Sequence, residues 1–144
     1  MSRLRIRGLG TVRIVAPIRG GNLTVSVLLA EDSEPLRRVM RRHLEAHPKI
    51  AVIGEATDFS NAVRLAEHLR PDVILLDLHM KDSHGLNAVT AGPTLISTGA
   101  TVLAISFSVD DDTKALAKQI GAAKLLDKMS LTTELIPTIL ELTK

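Results

Sequence analysis

The chain of 144 residues contains no cysteine, no tryptophan and no tyrosine, and only two phenylalanines. Without cysteine it has no disulfide framework, no thiolate nucleophile and no cysteine-ligated zinc site. Proteins that bind single-stranded nucleic acid stack bases on aromatic side chains, which are nearly absent here. We therefore expect this chain not to bind nucleic acid directly.

Long hydrophobic runs are also missing. The longest stretches, at 25–30 and 73–76, are far shorter than the roughly 20 apolar residues that a helix needs to cross a bilayer. The arginine-rich start is not followed by the apolar segment and small-residue cleavage site of a secretory signal. We expect a cytoplasmic protein that does not contact membranes, and the lack of cysteine fits that compartment.

Positive charge is concentrated at the start of the chain. The formal net charge is +2, but five arginines and no acids lie within the first 23 residues, so the remaining residues carry a charge of about −3. The stretch 19–22, Arg-Gly-Gly-Asn, has the composition of a turn or linker. We expect residues 1–23 to form a flexible basic extension and residues 24–144 to form one domain. An added edge strand, or translation from upstream of the natural start, are the alternatives for the extension.

From Thr24 onward, apolar segments typical of buried strands alternate with amphipathic segments typical of helices. Strands are predicted at 24–30, 49–56, 72–77, 100–106 and 123–127. The first helix is predicted to begin after Ser33 and to stop before Pro48, and the others at 58–69, 86–91, 110–120 and 131–142. The third is expected to break early at Gly92-Pro93. This alternation predicts an α/β fold with a doubly wound parallel sheet, for which the flavodoxin-like (βα)5 strand order 2-1-3-4-5 is one common form.

Charged and hydroxyl side chains follow the ends of the predicted strands, namely Glu31, Asp32, Asp77, Ser106 and Lys128. Sites in parallel sheets form at the carboxyl ends of strands, so these side chains are expected along one rim. Clustered carboxylates suit Mg²⁺, which prefers oxygen ligands, and an aspartate can accept a phosphoryl group as nucleophile. Taken singly, each residue is more often a turn, cap or solvated residue. Their combination favours phosphoryl transfer.

Four stretches containing these residues resemble the receiver domain of two-component response regulators. They are 27–32 (VLLAED), 71–80 (PDVILLDLHM), 102–106 (VLAIS) and 121–128 (GAAKLLDK), and the resemblance extends over about residues 24–144. Residues 50–80 are similar to the NarL/FixJ branch. The resemblance implies that Asp77 is the phosphoacceptor, that Ser106 is the switch hydroxyl and that Lys128 pairs with the phosphate. It implies Mg²⁺ held by Glu31, Asp32, Asp77 and the backbone carbonyl of His79.

The same resemblance implies a signalling role rather than an enzyme, with at most slow self-dephosphorylation. The phosphodonor would be a histidine kinase or histidine phosphotransfer protein. The output would be a conformational change in the helix 4, strand 5 and helix 5 surface, which is also where a homodimer would form. We expect no output domain in this chain. The alternatives are a fragment of a DNA-binding transcriptional regulator and a degenerate receiver that binds proteins without phosphorylation.

Three residues depart from the family pattern. Lys81 stands where proline is usual, Leu125 stands where the switch aromatic is usual, and Phe107 stands where a small residue is usual. We expect a more mobile and more positive loop beside Asp77, an output switch altered by the lack of its aromatic residue, and a more crowded site. His79 and Ser108 occupy positions that tune the lifetime of the phosphoryl group in the family.

The first predicted helix carries four arginines, at 37, 38, 41 and 42. Such a face is most often simply solvated. The functional alternative is a docking surface for the phosphodonor, because the kinase or phosphotransfer domain lies against this helix in the family.

Overall fold

The computed structural model describes residues 2–6, 10–14, 24–82 and 84–144, with side chains from residue 24 onward. The strands are β1 (Ser2–Ile6), β2 (Gly10–Ile14), β3 (Val25–Ala30), β4 (Ile50–Ala56), β5 (Val73–Asp77), β6 (Thr101–Ser106) and β7 (Lys124–Asp127). The helices are α1 (Glu34–Glu45), α2 (Phe59–Leu69), α3 (Ala88–Ser97), α4 (Asp111–Gln119) and α5 (Leu131–Leu142). A short 3₁₀ turn, Lys128–Ser130, joins β7 to α5.

Five strands form one parallel sheet in the order β4-β3-β5-β6-β7. Counted from β3, this is the predicted order 2-1-3-4-5, so the flavodoxin-like fold is confirmed. Helices cover both faces of the sheet. Leu28 and Ile74 pack in a core with α2, α3 and α4, whereas Leu29 and Leu75 pack in a second core with α1 and α5. Because neighbouring strand residues face opposite sides, the central strands are apolar throughout.

Side-chain caps fix three of the predicted helix starts. Oxygens of Ser33, Asp58 and Asp110 accept hydrogen bonds from the backbone N–H three residues later, at 3.4, 2.7 and 2.9 Å. Each bond satisfies a donor that the first helical turn leaves unpaired. These caps place α1, α2 and α4 directly after the loops that follow β3, β4 and β6.

The predicted break of the third helix is wrong. The helix α3 begins after the cap Asn87 and continues through Gly92 and Pro93. A proline costs the helix one hydrogen bond, but Leu95 and the rest of its inner face are buried against the core. Gly92 serves packing, since a Cβ there would lie 2.6 Å from the Cβ of Ile120. The glycine therefore allows a close approach to the end of α4 rather than ending the helix.

The two strands of the N-terminal extension pair with each other antiparallel, with Ser2 opposite Ile14. They form a separate sheet, and β2 lies against β4. Residues 1, 7–9 and 15–23 lie outside the described part of the chain, so the predicted flexible extension stays a prediction. Among the described residues, no helix has the length and apolarity needed to span a membrane.

Candidate phosphoacceptor and metal site

The predicted site residues meet at the carboxyl edge of the sheet. They line a cleft of about 350 Å³, whose walls are Glu31, Asp32, Ser33, Asp77, His79, Ser106, Phe107, Ser108 and Lys128. The strands β3, β5 and β6 bring the three acids and the serine to one edge, and the turn after β7 adds the lysine. The structure thus brings together all the residues that the sequence placed at strand ends.

Asp77 is the last residue of β5 and lies at the floor of the cleft. Four buried apolar residues precede it in a strand flanked by β3 and β6, so its position is set by the centre of the sheet. Its side chain is almost fully buried. One carboxylate oxygen, Oδ1, accepts a hydrogen bond from the His79 N–H at 3.0 Å, and the other lies 3.0 Å from Lys128 Nζ.

Lys128 connects two of the acids. Its Nζ lies 2.7 Å from Glu31 Oε1 in addition to its contact with Asp77. Burial alone would lower the pKa of Lys128, but the hydrogen bonds and charges of Glu31 and Asp77 outweigh it and raise the pKa above its usual value. The side chain is therefore held as an ammonium at neutral pH.

Glu31 is the most strongly perturbed acid of the site. It is completely buried, and its Oε2 accepts a hydrogen bond from the Ser33 N–H at 3.1 Å. Burial raises the pKa of Glu31 from 4.5 to about 7, although the hydrogen bonds from Lys128 and Ser33 act in the opposite direction. The nearby Asp77 also raises it. Without a cation, Glu31 is therefore readily protonated near neutral pH, and the site then carries two carboxylate charges instead of three.

The three acids fit a divalent cation. Glu31, Asp32 and Asp77 each offer a carboxylate oxygen within 4.8 Å of the others. With Lys128 they leave a formal charge of −2 in a largely buried cleft, which one Mg²⁺ would balance with the oxygen ligands it prefers. Asp32 is exposed, so it can turn toward an ion. His79 lines the same cleft and its N–H points to Asp77.

Ser106 ends β6 and is buried beside the acids. Its hydroxyl oxygen accepts a hydrogen bond from the Ser108 N–H at 3.1 Å. The next residue, Phe107, is 65% exposed, and its ring centroid lies 4.9 Å from Lys128 Nζ. The aromatic ring thus stands over the ammonium as a cation–π partner. The sequence indicated crowding at this position but not this contact.

The two other departures from the family pattern have clear local structures. Lys81 is exposed, and its backbone N–H donates to Asp32 Oδ2 at 3.4 Å, a bond that proline at this position would not make. Leu125 is half-buried and packs against the core under α2, α3 and α4. The loop after β5, which contains Lys81, is held in place by Asp82. The carboxylate of Asp82 accepts hydrogen bonds from the backbone N–H groups of Ser60 and His84.

The arginines of α1 do not form one uniform face. Arg37 and Arg41 turn inward and pair with Glu55 of β4, at 3.1 and 3.0 Å. Arg38 pairs with Glu34 on the exposed surface instead. Sequence reasoning treated all four arginines alike and missed Glu55. An acid inside an otherwise apolar strand was the available signal.

Comparison with known proteins agrees with this geometry. The family model described as the response regulator receiver domain matches residues 27–140. The chain is 40% identical over 115 residues to the transcriptional regulatory protein LiaR of Bacillus subtilis, covering 80% of this chain and 54% of LiaR. It is 32% identical over 118 residues to a protein-glutamate methylesterase/protein-glutamine glutaminase of Anaeromyxobacter dehalogenans, covering 82% of this chain and 34% of that protein. The chain thus spans about half or less of these relatives.

Solved structures give the same result. The signal receiver domain of the putative response regulator NarL from Mycobacterium tuberculosis superposes with a TM-score of 0.75 at 30% identity, covering 83% of this chain and 96% of that one. The response regulator domain of Thermotoga maritima CheB gives a TM-score of 0.73 at 25% identity, covering 82% and 95%. The likeness to NarL supports the NarL/FixJ-like branch indicated by residues 50–80. This chain belongs to the response regulator receiver family.

Proposed function

We propose that this chain accepts a phosphoryl group on Asp77 in a Mg²⁺-dependent reaction and signals through the resulting change of conformation. The observation that carries the proposal is the contact of Lys128 with both Asp77 and Glu31, at 3.0 and 2.7 Å, beside the third acid. A nucleophile, a fixed ammonium and a cluster of oxygen ligands are the groups that phosphoryl transfer requires.

The chemistry of the proposal is a displacement at phosphorus. A carboxylate oxygen of Asp77 forms a new bond to phosphorus while the bond from phosphorus to the donor breaks, and the donor leaves with those electrons. Bound to the three acids, Mg²⁺ would neutralise charge on the phosphoryl oxygens. Lys128 exchanges part of its contact with Asp77 for a phosphoryl oxygen, and the Ser106 hydroxyl donates to another.

Receiver domains interact with histidine kinases or phosphotransfer proteins, and we propose a phosphohistidine of such a protein as the donor. A cytoplasmic location is part of this proposal and is supported by a chain without cysteine. We do not propose methylesterase activity for this chain, because the match covers only about a third of the methylesterase relative. Slow self-dephosphorylation is the only hydrolysis proposed.

The proposal is tested by intact mass spectrometry with acetyl phosphate as donor. Wild type is expected to gain one phosphoryl group in the presence of Mg²⁺ and none in EDTA. Asp77→Asn should gain none, and Asp112→Asn, which alters an exposed acid of α4, should behave as wild type. The proposal would be contradicted if the folded wild-type protein gained no mass from acetyl phosphate and also gained none from a phosphorylated phosphotransfer protein.

A second candidate is a receiver that belongs to a transcriptional regulator. The observation that favours it is the similarity to LiaR, whose name is that of a transcriptional regulatory protein and of which the chain spans 54%. The phosphoacceptor chemistry would be the same in both cases. Fusion of the chain to a DNA-binding domain, with DNA affinity measured before and after phosphorylation, distinguishes the two outputs.

A further inference from the structure

Two arginines of α1 form a partly buried ion-pair cluster with one acid of the neighbouring strand. Arg37 and Arg41 are four residues apart, so they lie on the same side of the helix. Arg37 Nε lies 3.1 Å from Glu55 Oε1, and Arg41 Nη1 lies 3.0 Å from both oxygens of Glu55. These three side chains are only 15% to 18% exposed, so they are poorly available for docking a partner.

The second hydrogen bond of Arg37 reaches the proposed metal site. Its Nη1 donates to the backbone carbonyl of Glu31 at 2.9 Å. That carbonyl belongs to the peptide unit joining Glu31 to Asp32. The orientation of this peptide unit therefore sets the directions in which the two acidic side chains extend from the end of β3. The Glu31 N–H is fixed as well, because it donates to the carbonyl of Ala56 at 3.0 Å.

The cluster acts through geometry more than through charge. Arg41 also lies 3.8 Å from Glu45, so two arginines are balanced by two acids. A neutral cluster adds little net attraction or repulsion to a cation at the acids. The cluster instead holds Arg37 in one position, with one hydrogen bond to Glu55 of β4 and another to the peptide that joins the two proposed metal ligands.

We propose that Arg37, held in place by Glu55, is a positioning residue that aligns Glu31 and Asp32 for Mg²⁺. This inference rests on the proposed function, because it concerns the same metal site. Residues that orient metal ligands typically change metal affinity by about 10- to 100-fold when they are removed. Arg37 touches neither the phosphoryl group nor the ion in this account, and it acts only through the Glu31–Asp32 peptide.

The test measures the Mg²⁺ dissociation constant of the folded, unphosphorylated full chain by titration calorimetry. Arg37→Gln is expected to weaken Mg²⁺ binding about tenfold or more. The matched control is Arg38→Gln, which removes the adjacent arginine and its exposed pair with Glu34 and should leave the dissociation constant unchanged. An Arg37→Gln variant that binds Mg²⁺ as wild type does would overturn the inference alone. A wild type that binds no Mg²⁺ would overturn the proposed function together with it.

A second variant separates positioning from general loss of stability. Glu55→Gln removes the anchor of Arg37 and should weaken Mg²⁺ binding in the same direction. The double variant should bind no more weakly than Arg37→Gln alone, because both changes act through one contact. Additive losses would show two independent effects and would contradict the inference.

A second measurement uses NMR spectra of the metal-free protein. The Asp32 amide resonance should shift in Arg37→Gln and stay in place in Arg38→Gln.

Discussion

Replacement of the buried Glu31 by glutamine tests the electrostatics of the site without any metal. In the folded protein burial raises the pKa of this carboxyl to about 7, from 4.5. Between these two pH values the unfolded chain releases its proton while the folded chain keeps it. The unfolded state then binds fewer protons than the folded state, so the stability contributed by this group falls as the pH rises.

The size of the effect follows from the shift. About 2.5 pKa units correspond to a loss on the order of 3 kcal/mol, absent below pH 4.5 and complete above pH 7. Glutamine has no proton to release. The free energy of unfolding of Glu31→Gln, relative to wild type, should therefore increase by about 3 kcal/mol between pH 4.5 and pH 8.

The assay is urea unfolding in EDTA, followed by circular dichroism because the chain has no tryptophan or tyrosine. The control variant is Glu67→Gln, which changes an exposed carboxyl of α2 outside the site and should not show the increase of about 3 kcal/mol expected for Glu31→Gln. A difference between Glu31→Gln and wild type that does not change with pH would refute the reasoning. It would show that Glu31 ionises in the folded protein as easily as in the unfolded chain.

Three further substitutions have distinct expected results. Asp82→Asn weakens the acceptor that fastens the loop after β5 to the start of α2, and should lower the free energy of unfolding by about 1–3 kcal/mol in urea titrations. Gly92→Ala places a methyl group 2.6 Å from the Cβ of Ile120, a clash that costs about 1–3 kcal/mol. Alanine stabilises a helix by about 1 kcal/mol relative to glycine, so the free energy of unfolding measured in urea should fall by up to about 2 kcal/mol. Phe107→Ala removes the ring above Lys128, so the initial rate of phosphorylation by acetyl phosphate should rise; an unchanged rate would mean that the ring does not obstruct the cleft.

The strand order and the site could be predicted because they depend on local patterns. Each acid follows an apolar strand, and parallel strands bring their carboxyl ends to one edge of the sheet. The caps Ser33, Asp58 and Asp110 are also local, since each bonds a residue three positions later. For such features the sequence neighbourhood contains most of the information.

The errors arose where distant residues decide the outcome. Gly92 was predicted to break the helix. The structure shows that it is a glycine because Ile120, 28 positions away in sequence, leaves no room for a side chain there. Arg37 looked like a solvated residue because its partner Glu55 lies on another element. Periodicity places a side chain on a helix face but does not identify what it meets across the fold.

The most direct test of the central claim is to locate the phosphoryl group. Borohydride converts an aspartyl phosphate to homoserine, which peptide mass spectrometry can assign to a position. The tryptic peptide 65–81 contains Asp77 together with Asp72, which lies at the opposite end of β5 and serves as an internal control. After treatment with acetyl phosphate and Mg²⁺, we expect homoserine at position 77 and aspartate at position 72. Homoserine at position 32, or phosphorylated protein with unmodified Asp77, would contradict the account.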